Sequence, residues 1–499
     1  MLEVVQGSQR ERQGADGQQC AMDERDSAWQ IWADTGGTFT DAVAVDPAGV
    51  VHRAKVLSTA SLRGVVREVR GNKIDTAIVS LPHPEVLSGM RVRVRGASGK
   101  VFEDVVRGVD VGGVVFEVGV AVPAWAVGCT VEFLADEEAP VLAARLLTGT
   151  RIGAAFPAMR MRIATTKGTN ALLTRTGAPV ALFITKGFAD LLLIGTQQRP
   201  RLFDLEITRP EQLYQAVVEM DERMSAEGEE LREMRVDMLE ARCRELVASG
   251  ITSAAVALLH SDRFPAHERA LGDALKRFGF TWVSCSSELS AFMRLLPRAQ
   301  TAVVDAYLTP VVGEYVERIV QAVGSRSTLH ILTSTGGLVD AKRFRAKDSL
   351  LSGPAGGVVG AARAAARSGF SRVITFDMGG TSTDVVRLDP QPTLVHEHSV
   401  GDAHLVAPAV AIETVAAGGG SICAFDGVGL RVGPESAGAE PGPACYGFGG
   451  PLTLTDVNVL LGRVDAARFP IPVDVDAARD AAERVLEQVR AAGIETTAE

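Results

Sequence analysis

Short apolar runs alternate along this chain with polar, glycine-rich connections, and the period of the alternation changes several times. Trp29 to Ala33 and Ala42 to Val45 are β-rich runs on either side of a polar tip, and Val373 to Leu388 repeats that arrangement. Ser61 to Asn72 is predicted as a helix. Between about residues 82 and 139 the segments Arg91 to Arg95, Val114 to Val120 and Thr130 to Leu134 alternate with period two. Gly96 to Gly99 and Gly112-Gly113 separate them, which predicts a small β insertion. Polar residues Thr165 to Asn170 lead into an apolar helix, with Asn170 as its candidate cap, and Val180 to Thr185 reads as a buried strand. A charged helical stretch is expected over Pro210 to Leu246. Ser253 to Leu259, Trp282 to Ser287 and His330 to Ser334 read as strands. Helices are expected over Ala266 to Phe278, through Val323, and from Ser352 to Ser368-Gly369. Repeated β-loop-α units predict a layered α/β fold.

The sharpest feature is a repeat. Asp34-Thr35-Gly36-Gly37-Thr38-Phe39-Thr40-Asp41 and Asp377-Met378-Gly379-Gly380-Thr381-Ser382-Thr383-Asp384 both read D-x-G-G-T-x-T-D, 343 positions apart (377 − 34). One copy alone is compatible with an ordinary Gly-Gly hairpin turn. Two matching copies between β-rich runs call for a chemical reason. Adjacent glycines let backbone N–H groups approach an anion with no Cβ in the way, and the hydroxyls add donors. A carboxylate repels a bare phosphate, so Asp34, Asp377 and Asp384 suit a Mg²⁺ ion held partly through water, with Asp41 a weaker candidate.

Composition narrows the class. The 499 residues carry a net charge of −10, which argues against nucleic acid as a partner, and no apolar run of 18 residues suggests a membrane span. Residues 1–28 are polar with no apolar core of a secretory leader, and a disordered tail is expected there. The six cysteines are scattered with no C-x-x-C pair, which suits free thiols in a reducing cytoplasm. Among these Cys445 is read as a packed thiol rather than a nucleophile, with no histidine following it. Arg199 and Arg201, beside Gln197, Gln198 and Pro200, suit either a carboxylate-binding loop or a solvated surface loop. His396, His398 and His404 read as a polar loop rather than a zinc site. The glycine- and proline-rich stretch from Gly418 to Tyr446 is expected to be irregular, and such segments are often functional.

With D-T-G-G-T-F-T-D and F-D-M-G-G-T-S-T-D stand T-N-A-L-L, G-F-A-D, I-G-T-Q-Q-R-P, D-A-Y-L-T-P, L-S-G-P-A-G-G-V-V-G, A-G-G-G-S and V-G-P-E-S-A-G-A-E-P-G-P-A-C-Y. Together they resemble the hydantoinase A / 5-oxoprolinase family of the actin-like ATPase superfamily, with wording nearest to 5-oxoprolinase. The resemblance implies a two-lobed, ribonuclease-H-like α/β fold. Residues 29–230 would form the N-terminal region with its β insertion, and 231–499 a second lobe that is incomplete. It implies ATP-dependent hydrolysis of a cyclic amide, 5-oxoproline to glutamate, through phosphorylation of the lactam carbonyl oxygen. An N-methylhydantoinase, an acetone carboxylase-type subunit and a non-catalytic nucleotide-binding module are the alternatives. In that scheme Asp34 and Asp377 are catalytic and hold Mg²⁺ together with Asp384. Gly36, Gly37, Thr38, Gly379, Gly380 and Thr381 hold phosphates, Gly418, Gly419 and Gly420 contact the nucleotide, and Arg199 and Arg201 take the substrate carboxylate. K⁺ is a further candidate cofactor. A hydantoinase B-like chain or a missing C-terminal region, and an oligomer, are the expected partners.

Overall fold

A computed structural model describes residues 28–494, apart from 79–80, 82, 97–98, 111–114, 198–202, 204–210, 439, 466–468 and 470. The tail expected over residues 1–28 therefore falls outside the described residues as far as residue 27, as do Arg199 and Arg201.

The first half is organised on a sheet in which strands Val51–Leu57, Phe39–Val45 and Trp29–Thr35 run antiparallel to one another. Met159–Thr165 and then Thr328–Leu332 follow in parallel. Parallel neighbours need long crossovers, and the connection between Met159–Thr165 and Thr328–Leu332 holds a second sheet. This is all parallel, in the order Ala216–Met220, Val180–Thr185, Ser253–Ala257, Trp282–Cys285, so it draws strands from both sides of residue 230. Its central strands, Val180–Thr185 and Ser253–Ala257, are buried at every position, as apolar runs covered on both faces should be. Helix Leu295–Val323 packs against this sheet. It is buried on all sides over Arg298 to Pro310, polar Arg298, Thr301 and Asp305 included, and on one face only beyond that.

The β insertion is a closed barrel. Strands Ser61–Arg70, Lys73–Ile78, Val115–Val118, Val101–Val109, Arg91–Arg95 and Thr130–Leu134 pair in that order, and the last pairs back onto the first. It starts earlier than expected, because Ser61–Arg70 is a strand rather than a helix. Leu62, Val65, Val66 and Val69 imitate a helical stripe, but Leu62, Gly64 and Val66 alternate inward along the strand, and ring closure decides between the two periods. The alternating arginines pair outward, Arg91 with Asp136 and Arg93 with Glu103. At the far end the insertion gives way to helix Ala139–Thr148. The charged stretch before Leu246 also departs from expectation. It holds strand Ala216–Met220 and a small hairpin, Arg223–Met224 with Glu230–Arg232, and the helix is confined to Glu240–Ala248. Pairing beside Val180–Thr185 outweighs helix propensity there.

In the second half, helix Ser352–Arg367 leads to a three-stranded sheet, Val373–Met378, Thr383–Leu388 and Glu413–Val415. His396 and His398 lie on strand Leu394–Val400 of a hairpin, not in a loop, and the His404 Nδ1 lies 2.7 Å from Ser399 Oγ. The segment expected to be irregular contains a hairpin too, Ser421–Phe425 with Leu430–Ser436. Helix Leu454–Leu460 begins with a reciprocal cap in which Thr453 Oγ1 accepts from Asp456 N and the buried Asp456 carboxylate accepts from Thr453, Ala444 and Cys445 N. Thr453→Ala should cost about 1 kcal/mol, visible as a lower melting temperature, since an exchanged N-cap typically costs that much. No helix among the described residues is long and apolar enough to cross a membrane.

Candidate functional site

Both copies of the eight-residue motif are hairpins with the same register. Asp34 stands opposite Asp41 and Asp377 opposite Asp384. The turns close identically: Gly36 N donates to Phe39 O at 3.0 Å, and Gly379 N to Ser382 O at 2.9 Å. A side chain at position 36 would bring its Cβ to 3.2 Å from Phe39 O, so the tight tip favours glycine there. The first tip is held from behind by Ser58, whose hydroxyl donates to Gly36 O at 2.8 Å and whose N–H donates to Thr38 O.

The tips meet. A Cβ placed on Gly380 would lie 3.5 Å from Thr38 Oγ1, so the two motifs face each other at contact distance. Helix Ser352–Arg367 runs between their carboxylates. Its Ser352 hydroxyl donates to Thr165 O, and Cβ positions on Gly353 and Gly357 would lie 3.8 Å from Asp34 Oδ1 and 3.5 Å from Asp377 Oδ2. Gly418, Gly419 and Gly420 do not stand apart. Gly419 N donates to Gly379 O at 2.9 Å and Gly420 N to Gly380 O at 2.6 Å, so this loop is the cradle of the second tip. It is held in turn by Thr455, whose N–H and hydroxyl both donate to Gly419 O.

Electrostatically the cleft is acidic and unevenly compensated. Burial, then the carboxylates of Asp41 and Asp377, pushes the Asp34 carboxyl above its ordinary value, with Lys55 pulling the other way. Burial likewise raises Asp384, with Asp377 adding to the effect and the Thr414 hydroxyl opposing it through a 2.7 Å hydrogen bond. Asp41 is neutralised by Lys55, whose ammonium reaches both carboxylate oxygens at 2.8 and 2.7 Å. The repeat is therefore broken at the cross-strand partner, lysine opposite Asp41 and threonine opposite Asp384.

Among the described residues neither Asp34 nor Asp377 forms an ion pair with a lysine or arginine, although Lys55 is near enough to pull the Asp34 carboxyl down. Among the described residues no three acidic, histidine or cysteine side chains converge as direct ligands; a Mg²⁺ ion, which keeps most of its waters and takes one or two carboxylates, would not need such a cluster. A carboxyl with a raised folded-state pKa favours folding fully below its unfolded value near 3.8, and that contribution is lost as pH rises through the raised value. Asp34→Asn should therefore melt at a higher temperature than the native chain at pH 7 without nucleotide or metal, with the gap closing near pH 4. A lower melting temperature at pH 7 would contradict this electrostatic account.

Sequence reading missed several neighbours of the cleft. Asn170 does not cap its helix: it lies within Lys167–Leu173, with Nδ2 3.4 Å from Thr166 Oγ1 and 3.9 Å from a Cβ position on Gly37. Tyr315, fully buried, puts its hydroxyl 3.3 Å from Thr35 Oγ1, and Lys167 lies over its ring. The glycines of Ser352–Arg367 and the polar run Thr165 to Asn170 carried an advance signal, whereas Tyr315 carried none. Cys445 is buried, and desolvation with the Asp456 carboxylate pushes its thiol far above the ordinary value, so it is not poised as a nucleophile.

Two family models match: the hydantoinase/oxoprolinase N-terminal region over residues 30–85 and 108–279, and hydantoinase/oxoprolinase over residues 298–499. The chain belongs to the hydantoinase/oxoprolinase family. Within the family, 5-oxoprolinase 1 of Arabidopsis thaliana is 41% identical over 361 residues, covering 66% of this chain and 28% of the relative. Caprolactamase subunit alpha of Pseudomonas jessenii is 34% identical over 311 residues, 60% of this chain and 45% of the relative. The nucleotide-free structure of acetone carboxylase, from a study of ATP-dependent acetone carboxylation, superposes with a TM-score of 0.66 at 20% identity, over 93% of this chain and 59% of that one. This hydantoinase/oxoprolinase chain thus spans little more than a quarter of the length of the 5-oxoprolinase it matches.

Proposed function

We propose that this chain is the ATPase portion of an enzyme that opens a cyclic amide, with 5-oxoproline as the first candidate substrate. The observation that carries the reading is the pair of identically closed diglycine hairpins meeting across the glycine helix. It supports an actin-like arrangement in which one triphosphate is gripped from two lobes. The N–H groups of Gly36, Gly37, Gly379 and Gly380 and the hydroxyls of Thr38 and Thr381 would take phosphate oxygens, and the Gly418 to Gly420 loop would keep the second tip in place. Asp34 and Asp377, with Asp384 through water, would hold Mg²⁺, which neutralises charge on the phosphates.

An unactivated lactam resists water because its nitrogen donates into the carbonyl. Attack of the carbonyl oxygen on the γ-phosphorus, with ADP leaving, puts a phosphate on that oxygen and makes the carbon electrophilic. Water then adds to the carbon, the C–N bond breaks with a proton passing to nitrogen to leave an acyl phosphate, and a second water hydrolyses that acyl phosphate so that phosphate departs. From 5-oxoproline the products are glutamate, ADP and phosphate. Water addition is assigned to a hydantoinase B-like chain or region, in keeping with the subunit naming of the caprolactamase relative. A cytoplasmic, oligomeric assembly, K⁺ as an activating ion and the Arg199 and Arg201 loop as the carboxylate site belong to the same proposal. ADP release from this chain combined with its partner region should rise with 5-oxoproline and not with acetone plus bicarbonate. The reverse pattern would reassign it to the carboxylase branch.

A further inference from the structure

Asn170 has no structural duty that explains it. It neither caps its helix nor fills the core, it is exposed, and asparagine is among the poorer helix formers. Yet the helix that carries it is firmly placed. Strand Met159–Thr165 runs parallel to Trp29–Thr35 and ends level with it, Thr165 opposite Thr35, so Lys167–Leu173 begins where the first diglycine tip begins. Gly168, Ala171 and Leu172 are buried, the Thr169 hydroxyl donates to Leu350 O, and a Cβ on Gly168 would lie 2.5 Å from Ser349 Oγ. A side chain on a helix pinned in this way keeps a fixed position, as a binding group requires.

The carboxamide is also fixed in orientation. Thr166 N and Thr166 Oγ1 both donate to Thr35 O, at 3.0 and 3.2 Å. The Thr166 hydroxyl has then given its only proton, so toward Asn170 it can only accept, and the amide atom 3.4 Å away is Nδ2 rather than Oδ1. Among the described residues the carboxamide has no other partner. One N–H and the Oδ1 acceptor are left side by side next to the first tip, where Nδ2 lies 3.9 Å from a Cβ position on Gly37.

A donor and an acceptor in one plane match a particular chemical group. Small rings hold their amide cis, with N–H and C=O on the same side, whereas open-chain amides are trans and point them apart. A cis amide and a carboxamide can therefore pair through two hydrogen bonds, each donating to the other.

We propose that Asn170 recognises the lactam, its Nδ2–H donating to the carbonyl oxygen and its Oδ1 accepting from the ring N–H. The inference rests on the cyclic-amide reading above and adds the residue that selects that substrate class. The pairing leaves the second lone pair of the carbonyl oxygen free to attack the γ-phosphorus. As the oxygen–phosphorus bond forms, the nitrogen lone pair moves into the C–N bond and the N–H becomes a stronger donor. Its bond to Asn170 Oδ1 strengthens toward the transition state, which raises kcat and not affinity alone. A ketone offers no N–H to that acceptor, so the same contact favours a lactam over acetone.

Asn170→Leu, nearly the same shape with neither donor nor acceptor, tests this in the chain combined with its partner region. Lactam-dependent ADP release gives kcat/KM for 5-oxoproline and caprolactam, each beside its N-methyl counterpart. The native protein should favour the N–H lactam at least about a hundredfold, as a site built to bond a group rejects the analogue lacking it. Asn170→Leu should lose at least about a hundredfold on the N–H lactam and less than about threefold on the N-methyl form, so that the preference collapses. Asn170→Ala should collapse it too. A merely structural role would lower both substrates alike and keep their ratio. A native preference under about threefold, or a preference kept in both variants, would overturn the proposal. So would an equal fall on both substrates with a raised KM for ATP, which would assign Asn170 to the phosphates. In each of those cases lactam-dependent ADP release persists and the cyclic-amide reading stands. Failure of both lactams to raise ADP release from the native protein would overturn that reading, and this inference with it.

Discussion

Asp34→Ala combined with Asp377→Ala should abolish ATP-dependent turnover, with a fall of at least about a thousandfold, and should weaken Mg·ATP binding measured by calorimetry. Removing one preorganised electrostatic contact from a transferring group typically costs about 10²–10³ in rate, and in the proposed arrangement this pair would act on one triphosphate from both sides. The two carboxylates are already coupled, since Asp377 raises the Asp34 carboxyl across the cleft, so their removal should not be additive. The single variants are expected to lose nearly as much turnover as the double. The fold should survive, because Asp34 is an electrostatic cost in the empty protein. A double variant that binds Mg·ATP as tightly as the native chain would refute the shared-triphosphate arrangement.

Gly418→Val is expected to have the second-largest effect, a loss of at least about a hundredfold in nucleotide affinity. A Cβ at residue 418 would sit 2.7 Å from Gly380 C, Gly380 O and Thr381 N, all backbone atoms that cannot rotate away. Either the loop lifts off or the second tip moves. In both cases the bonds from Gly419 and Gly420 to Gly379 and Gly380 are lost, and the N–H groups proposed to take phosphate oxygens would lose their aim. Such positioning errors of about 1 Å commonly cost about 10² in rate even away from the reacting atoms. Far-ultraviolet dichroism should stay near native while affinity drops. Native affinity with a displaced loop would show that the Gly418 to Gly420 segment is not the cradle of the second hairpin.

Both hairpins were legible because their code is local. An acidic residue, two glycines and a run of hydroxyls between β-rich segments can close only as a tight antiparallel turn, and the second copy announced a paired function. The helix at Ser352 was legible for the same reason. Misreadings arose where two local patterns compete. Ser61–Arg70 satisfies a helical stripe and a strand alternation equally well, and only a barrel closing through Thr130–Leu134 selects the strand. Ala216–Met220 is a strand because Val180–Thr185 lies beside it, which no charge pattern in the intervening sequence could signal.

By itself the sequence determined the motif chemistry: which residues offer donors to an anion, which carry negative charge, and that these occur twice. Tertiary structure alone decided that the two tips touch and that Gly353 and Gly357 bring a helix between Asp34 and Asp377. It also decided that Lys55 neutralises Asp41 while Asp384 accepts from the Thr414 hydroxyl, and that Ile374 and Phe376 stand open where Ile31 and Ala33 are sealed. The division follows from range. Turn and strand preferences are set by φ, ψ and side chains within a few residues, whereas burial, pairing across sheets and the proximity of carboxylates depend on segments hundreds of positions apart.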